Sequence, residues 1–397
     1  MKKIISIIGG GSSALILACF LDSSKYEITL FERNNTIGRK FLVAGSGGFN
    51  LTHSETPSEM VKKYTPYAFM AHAFSDFTNI DLKNWLNKIG IETYIGSSKR
   101  VFPIKGIKPI QVLNAISEKI KQNKVTIKTK HNWIGWDEDS LQFKNEGEII
   151  NVKSDITVFA MGGGSWKVTG SDGAWISHFE KHNIHTKILQ ASNCACQIAW
   201  TDVFLKLNEG KSIKNITISC NGIVKKGEIV ITQFGMEGGA IYALSSAIRN
   251  QIKEQNYAEI TIDLKPSYNL AEIFKILKNS HKQTINKCLK DDFNFSNRMI
   301  ELLKNELTKE DYINPEILAQ KIKNLPLKIL SLAALDEAIS TVGGVGLDAI
   351  TKNYELKNKP NTYCIGEMLD WDAPTGGYLL QACFSMGVKL ALYLNQK

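Results

Sequence analysis

Apolar positions at the start of the chain fall in short blocks rather than long stripes. Ile4 to Ile8 is one such block, ended by Gly9, and it has the form of a strand buried on both faces of a parallel sheet. Ser13 to Leu21 predicts a helix, with Leu15, Leu17, Ala18 and Leu21 available for packing, and Tyr26 to Glu32 predicts a second strand. The three together read as one βαβ unit. From about 56 to 92, Phe74, Phe77, Leu82, Trp85 and Leu86 recur at helical spacing until Gly90. A helix over 110–122, a strand over 125–129 and a hairpin-like stretch from Trp133 to Lys153 follow. A strongly apolar strand, Ile156 to Met161, then runs into Gly162, Gly163 and Gly164.

The pattern changes twice before it returns. From about 190 to 265 it alternates in β-prone segments such as Asn215 to Cys220, Glu228 to Thr232 and Glu259 to Leu264. From Leu270 to about Leu330 it reads as Lys-rich amphipathic helices. Beyond Ala338 the glycine-rich α/β character resumes, so the two middle stretches read as insertions. With 397 residues the chain is too long for one compact core, and two or three domains are expected.

Charge and cysteine content narrow the setting. The net charge of +9 comes from 48 Lys and Arg against 39 Asp and Glu, scattered without basic blocks. That favours anionic small molecules, phosphorylated cofactors included, over nucleic acid as partners. No stretch has the apolar length a bilayer crossing needs. The seven cysteines show no CxxC spacing, and reduced thiols in a cytoplasmic setting are expected. Met1 to Cys19 imitates a secretory signal, but Gly9, Gly10, Gly11, Ser12 and Ser13 interrupt the apolar helix such a signal requires.

Those glycines have a better use. Gly9-x-Gly11-x-x-Ala14 stands directly after a strand and before a helix, and Glu32 ends the next strand 18 residues beyond Ala14. Gly9 permits a tight turn, Gly11 lets backbone approach a pyrophosphate, and Ala14 lets the helix lie close to the sheet. The helix N-terminus, beginning near Ser12 and Ser13, then offers N–H groups to phosphates. Glu32 accepts from ribose hydroxyls and repels a 2′-phosphate, which points to a dinucleotide other than NADP at this site.

Further motifs carry a family resemblance. They are Gly38-Arg39-Lys40-Phe41-Leu42 through Gly47-Gly48-Phe49-Asn50-Leu51-Thr52, then Arg100-Val101-Phe102-Pro103, Ala160-Met161-Gly162-Gly163 and Thr169-Gly170-Ser171. Gly235-Met236-Glu237-Gly238-Gly239, Thr341-Val342-Gly343-Gly344-Val345 and a run from Gly366-Glu367-Met368 through Asp370 to Gly376-Gly377-Tyr378-Leu379-Leu380-Gln381-Ala382 complete the set. In these the chain resembles flavoproteins with a discontinuous Rossmann fold and, within them, the bacterial BaiN-like, or aminoacetone-oxidase-like, family. Many relatives have Cys-Asn-x-Thr-Asn where this chain has Phe49-Asn50-Leu51-Thr52-His53, which marks a distinct subfamily.

The resemblance implies FAD as cofactor and an α/β fold with three parts. A Rossmann-like FAD-binding domain would comprise 1–190 and 336–397, a β-barrel-like substrate domain 191–266 and 326–345, and a helical insertion 267–325. By analogy Glu32 and Arg33 hold the adenosine ribose, Gly366 and Glu367 approach the ribityl or pyrophosphate portion, and the backbone of Trp133 meets adenine. The same analogy places Arg39, Lys40, Gly45, Asn50, Leu51, Ala160, Met161, Gly162, Asp370, Gly376, Gly377, Tyr378 and Leu379 around the cofactor. Gly376 and Gly377 precede an apolar helical run, whose positive end would stabilise reduced flavin.

Rival sites have weaker grounds. His178 and His182 lie four apart but lack the HExxH order, so no metal site is expected. Cys194 and Cys196 read as buried thiols, and Gly343-Gly344-Val345-Gly346 lacks the preceding strand of a second nucleotide loop. The expectation is an FAD-dependent oxidoreductase exchanging hydride through flavin N5 with an unidentified small organic substrate. NAD(P)H, as a transient reductant, would enter the open cleft and stack on the flavin. Tyr378, Arg100 and His53 are the candidate catalytic positions. The competing readings are a flavin-dependent tRNA-modifying enzyme and a non-catalytic flavin-binding redox sensor.

Overall fold

A computed structural model describes residues 1–43 and 48–397; Gly45 lies outside the described residues. The chain divides into two units, Met1–Gln190 with Ser340–Lys397 and, separately, Ala191–Ile339.

Unit 1 is built on a parallel sheet. Its strands are β1 (Lys3–Ile8), β2 (Tyr26–Phe31), β6 (Thr126–Lys128), β10 (Ile156–Phe159) and β19 (Thr362–Cys364). They lie in the order β19-β10-β1-β2-β6. Ile5, Ile7 and Ile8 are buried, as the uninterrupted apolar block requires of a central strand. From β1 the chain passes to β2 on one side, whereas β10 flanks β1 on the other. The carboxyl ends of β1 and β10 therefore form a topological switch point, where open α/β sheets bind ligands.

Helices cover this sheet. The first, Ser12–Phe20, is buried from Ser13 through Cys19 and packs on the C-terminal helix Tyr378–Gln396. A Cβ on Gly387 would lie 2.4 Å from Ile16 Cγ2, so a glycine lets the helices of the two chain ends meet this closely. The region from 56 to 92 forms three helices, the last of them Asn79–Lys88 with a Thr78/Asp81 capping box.

Two small antiparallel sheets complete the unit. The first joins β3 (Thr52–His53), β4 (Thr93–Ile95) and β5 (Arg100–Pro103) in the order β3-β5-β4. The second is the meander of β7 (Asn132–Asp137), β8 (Ser140–Asn145) and β9 (Glu148–Lys153). His178 and His182 pack edge-on against Trp133 and Trp136, so their spacing serves an aromatic cluster. A two-stranded ribbon pairs β11 (Thr186–Ser192) with β18 (Ser340–Val345), and Gly343 and Gly344 lie inside the latter strand rather than in a nucleotide loop.

Unit 2 is a small barrel with helices. Strands β12 (Cys196–Gln197), β13 (Ser212–Cys220), β14 (Ile223–Ile231), β15 (Gly235–Glu237), β16 (Ala258–Asp263) and β17 (Leu325–Ile329) lie in the order β12-β15-β14-β13-β16-β17. The chain just past β17 closes the sheet onto β12: Gln197 N–H donates to Ser331 O at 2.8 Å and Leu330 N–H to Gln197 O at 3.0 Å. The helices between Leu270 and Lys323 share one hydrophobic core with the barrel, with Ile273, Leu289 and Leu303 alongside Ile218, Ile260 and Ile262. The helical pattern stops at Lys323 instead of continuing to about 330. Pro326 has no N–H for a helix, and Leu325, Leu327 and Ile329 alternate inward as a strand.

Seven cysteines are free thiols, and burial pushes Cys19 and Cys196 above their usual range, Cys19 to about 12. Among the described residues no helix is long and apolar enough to cross a membrane.

Candidate functional site

The two glycine turns meet at the switch point. Gly9 has φ +103°, donates its N–H to Phe31 O at 2.8 Å, and would place a Cβ only 2.5 Å from Ala160 O. No side chain can stand there. Ala160 N–H in turn donates to Ile8 O at 2.8 Å, which locks the β1 turn beside Ala160, Met161 and Gly162. A Cβ on Gly11, by contrast, would meet nothing nearer than Ala160 O at 3.9 Å. Open space lies over the start of the first helix.

That start has no side-chain cap, because Gly11 is the N-cap residue. With glycine at the N-cap, the missing side-chain cap costs the helix only roughly a few tenths of a kcal/mol. Full burial of Leu15, Ile16 and Leu17 contributes about 1.5–3 kcal/mol each, which outweighs it. Packing thus lets the helix keep its first N–H groups, including those of Ser12 and Ser13, available to an anion.

Glu32 is buried at the end of β2 and already engaged. Its Oε2 accepts from Gly10 N–H at 2.8 Å, and its Oε1 from the Asn34 N–H at 2.8 Å and side-chain amide at 2.7 Å. A carboxylate has about four acceptor positions, so about one remains for a ligand hydroxyl. Arg33, expected on the ribose, pairs with Asp172 at 2.9 Å and donates to Gly170 O, which binds the Thr169-Gly170-Ser171 turn to β2. Arg39 donates to Val168 O at 2.7 Å.

The far end of the chain comes back over this region. Lys40 bridges Ser165 at 2.7 Å and Glu367 at 2.8 Å, and Glu367 also accepts from Thr341 N–H at 3.0 Å. A Cβ on Gly366 would lie 2.4 Å from Ser13 Oγ, so this turn rests on the first helix. Asp370 faces the ribbon instead, held by Gly343 N–H at 3.1 Å and Lys187 at 2.6 Å. The Trp133 side chain is in the core among Trp136, Phe159 and Phe179, and its indole N–H has no partner among the described residues.

A second constellation surrounds the start of the C-terminal helix. Gly377, at φ +99°, is its N-cap without a side-chain cap, and a Cβ there would lie 2.5 Å from Thr52 O. The helix end is pressed onto β3. Tyr378 then stacks on His53 with ring centroids 5.1 Å apart, and its hydroxyl donates to Glu55 Oε2 at 2.7 Å. His53 pairs in register with Arg100 across β3 and β5, and a Cβ on Gly376 would sit 3.3 Å from Arg100 Nε. The three residues singled out in the sequence, His53, Arg100 and Tyr378, are therefore neighbours. Leu51 is buried with its N–H on Val101 O, while Asn50 and Leu379 are half-buried at the edges of the cluster.

Sequence reasoning missed two members. Glu55 is one; Thr52-His53-Ser54-Glu55, with His and Glu two apart in a segment that begins as a strand, was the available signal. Asn79 is the other, a buried amide donating to His53 O at 2.7 Å and Glu55 O at 2.8 Å, far away in sequence and unmarked by any motif. Burial lowers His53 below the usual histidine value although Glu55 pulls it upward, so the imidazole is neutral at pH 7. Burial and the bond to Glu55 raise Tyr378, so the phenol keeps its proton.

The geometry suits a dinucleotide diphosphate at the first helix, and a group that develops negative charge at the second. Residues 3–392 match the family model described as HI0933-like protein Rossmann domain, and the chain belongs to that family. It is similar to the ribosomal RNA dihydrouridine synthase of Haemophilus influenzae, 24% identical with 98% of each chain covered. It is also similar to the 3-dehydro-bile acid delta(4,6)-reductase of Clostridium scindens, 22% identical over 96% of this chain and 97% of the relative. Among solved structures, the 3-ketosteroid-delta4-(5alpha)-dehydrogenase of Rhodococcus jostii RHA1 in complex with 4-androstene-3,17-dione shares the fold. Its TM-score is 0.51 at 12% identity, covering 100% of this chain and 97% of that one.

Proposed function

We propose that the protein is an FAD-dependent oxidoreductase that reduces a ring carbon–carbon double bond conjugated to a carbonyl group. The observation that carries the flavin reading is the uncapped start of the first helix at the switch point, with open space over Gly11 and Glu32 beside it. FAD, when bound, supplies hydride exchange at flavin N5, with NAD(P)H as the donor this reading expects. The N–H groups of Gly11, Ser12 and Ser13 hold the diphosphate, Lys40 balances its charge, and Glu32 takes a ribose hydroxyl. The start of the C-terminal helix presents its N–H groups and positive dipole end to developing negative charge. Tyr378 Oη holds a proton near the reacting region, oriented by Glu55, and Arg100 supports an anionic carbonyl oxygen.

The reaction class draws on the relatives. Both names, dihydrouridine synthase and delta(4,6)-reductase, describe saturation of a ring double bond conjugated to a carbonyl, the kind of bond that accepts hydride at its far carbon. A small organic substrate is the first reading. Uridine within RNA is the second, favoured by the match to the Haemophilus protein along 98% of both chains.

The test is to purify the protein, release and identify its flavin by mass, and follow anaerobic bleaching with NADH against NADPH. FAD that bleaches and is reoxidised by an enone or a uridine-containing RNA is the expected result. Failure to retain FAD after incubation with excess cofactor would sink the reading.

A further inference from the structure

We infer that the β4–β5 hairpin of unit 1 is a docking surface for single-stranded RNA, an inference resting on the reductase reading and specifying its macromolecular form. The hairpin exposes unusual side chains for so small a sheet. Tyr94 is 49% exposed, Ile95 55%, and nearby Ile104 and Ile110 38% and 44%. Tyr94 stacks on its cross-strand partner Phe102 with centroids 5.6 Å apart and planes at 28°, leaving a flat aromatic platform half open to solvent.

Cations are frequent in the segment that forms this platform. From Glu92 to Lys108 the chain has four, Lys99, Arg100, Lys105 and Lys108, against the single carboxylate of Glu92, whereas the whole chain has 48 against 39. Lys99, Lys105 and Lys108 are exposed. A protein partner selects against this composition, because lysine is depleted in the cores of protein interfaces. Aromatic faces for bases with lysines for phosphates are instead the signature of single-stranded nucleic acid binding.

Continuity with the candidate site supports the choice. β5 also carries Arg100, and His53 lies opposite it on β3. Strands pack about 4.8 Å apart, so β4 lies about 10 Å from β3, close enough for one RNA segment to cover the hairpin and offer a neighbouring base to the Tyr378 cluster.

The experiment uses the full-length, FAD-loaded protein and a fluorescein-labelled oligouridine of about 20 nucleotides, titrated at several salt concentrations between about 50 and 200 mM. Tyr94→Ala should weaken binding about tenfold. The triple variant Lys99→Gln, Lys105→Gln, Lys108→Gln should lower the log–log salt slope by about 2, since each phosphate contact on a single strand contributes about 0.7. Flavin content and NAD(P)H bleaching should match wild type in both, which reports that the fold is intact. Absence of wild-type binding at low salt, or variants that bind like wild type, would overturn the docking surface while a bleaching, turning-over flavin left the reductase reading standing. RNA binding of the expected kind by a protein that cannot retain FAD would do the reverse.

Discussion

The two helix starts in unit 1 look alike in sequence and differ in surroundings. Both begin at a glycine N-cap without a capping side chain. Over Gly11 a Cβ would meet only Ala160 O at 3.9 Å, and Glu32 accepts from the neighbouring Gly10 N–H. At Gly377 the backbone is clamped against Thr52; His53, Glu55 and Tyr378 gather within hydrogen-bonding or stacking distance, and Arg100 stands opposite His53 on the next strand. On the proposed reading the open helix end binds and the crowded one, with its proton-holding groups, reacts. The contrast teaches that a glycine N-cap alone does not announce which.

The sharpest way to break this division is at the open end. Gly11→Val places a branched side chain where the diphosphate would lie, and overpacking of about 1–3 kcal/mol or more corresponds to roughly tenfold to hundredfold weaker FAD retention. Helical circular dichroism should stay close to wild type, because a Cβ at Gly11 would meet only Ala160 O, at 3.9 Å. Full FAD occupancy in that variant would place the diphosphate elsewhere.

At the crowded end the expected losses are catalytic. Tyr378→Phe removes the hydroxyl that donates to Glu55 and should lower kcat about a hundredfold, in the range of a lost general acid, with FAD content unchanged. Glu55→Gln keeps the shape but loses the charge, so roughly tenfold is expected. In that variant His53 loses the one carboxylate raising its pKa, and any acidic limb of the rate profile that it sets moves to lower pH. If Tyr378→Phe turns over at the wild-type rate while Gly11→Val still loses FAD, the first helix binds as described and the second has no proton role.

The difference between the ends also explains what the sequence disclosed. Gly9, Gly11, Ala14 and Glu32 are local: strand, turn, helix and acid follow one another within a few tens of residues, and each residue type has a steric or electrostatic reason to be there. Of the parallel strands, β1 and β10 were legible as apolar blocks running into glycine, whereas β19 was not read as a strand at all. The cluster at the other end is assembled from β3, β5 and the C-terminal helix Tyr378–Gln396, far apart in the chain, so its neighbours are set by tertiary packing. Arg33 and Asp370 show the same limit. Their motifs were visible, but the partners that hold them, Asp172 and Lys187, belong to the Thr169–Ser171 turn region and the β11 strand. Strand β17 was hidden because five residues of period two follow helices rich in the same Lys and Leu.

The smallest effect tests whether the crowded end is dry. His53 is held below the ordinary histidine pKa of 6.5 mainly by burial, with Lys99 and Arg100 acting in the same direction and Glu55 and the Ser98 backbone opposing them. Its folded form therefore binds fewer protons than the unfolded chain once the pH drops below about 6.5. Its contribution is complete above that value and is lost as the pH falls through the lowered folded value. His72, His178 and His182 are shifted the same way by burial, so they add to the slope and serve as the internal background. Six of the seven tryptophans, all but Trp200, lie in unit 1, which makes tryptophan fluorescence a report on that unit. Between about pH 7 and pH 5 its melting temperature should fall, and His53→Asn should recover roughly 1–2 °C of the loss at the acid end. An unchanged slope in that variant would mean that His53 is wet in both states, and that the Tyr378 hydroxyl works in water rather than in a shielded pocket.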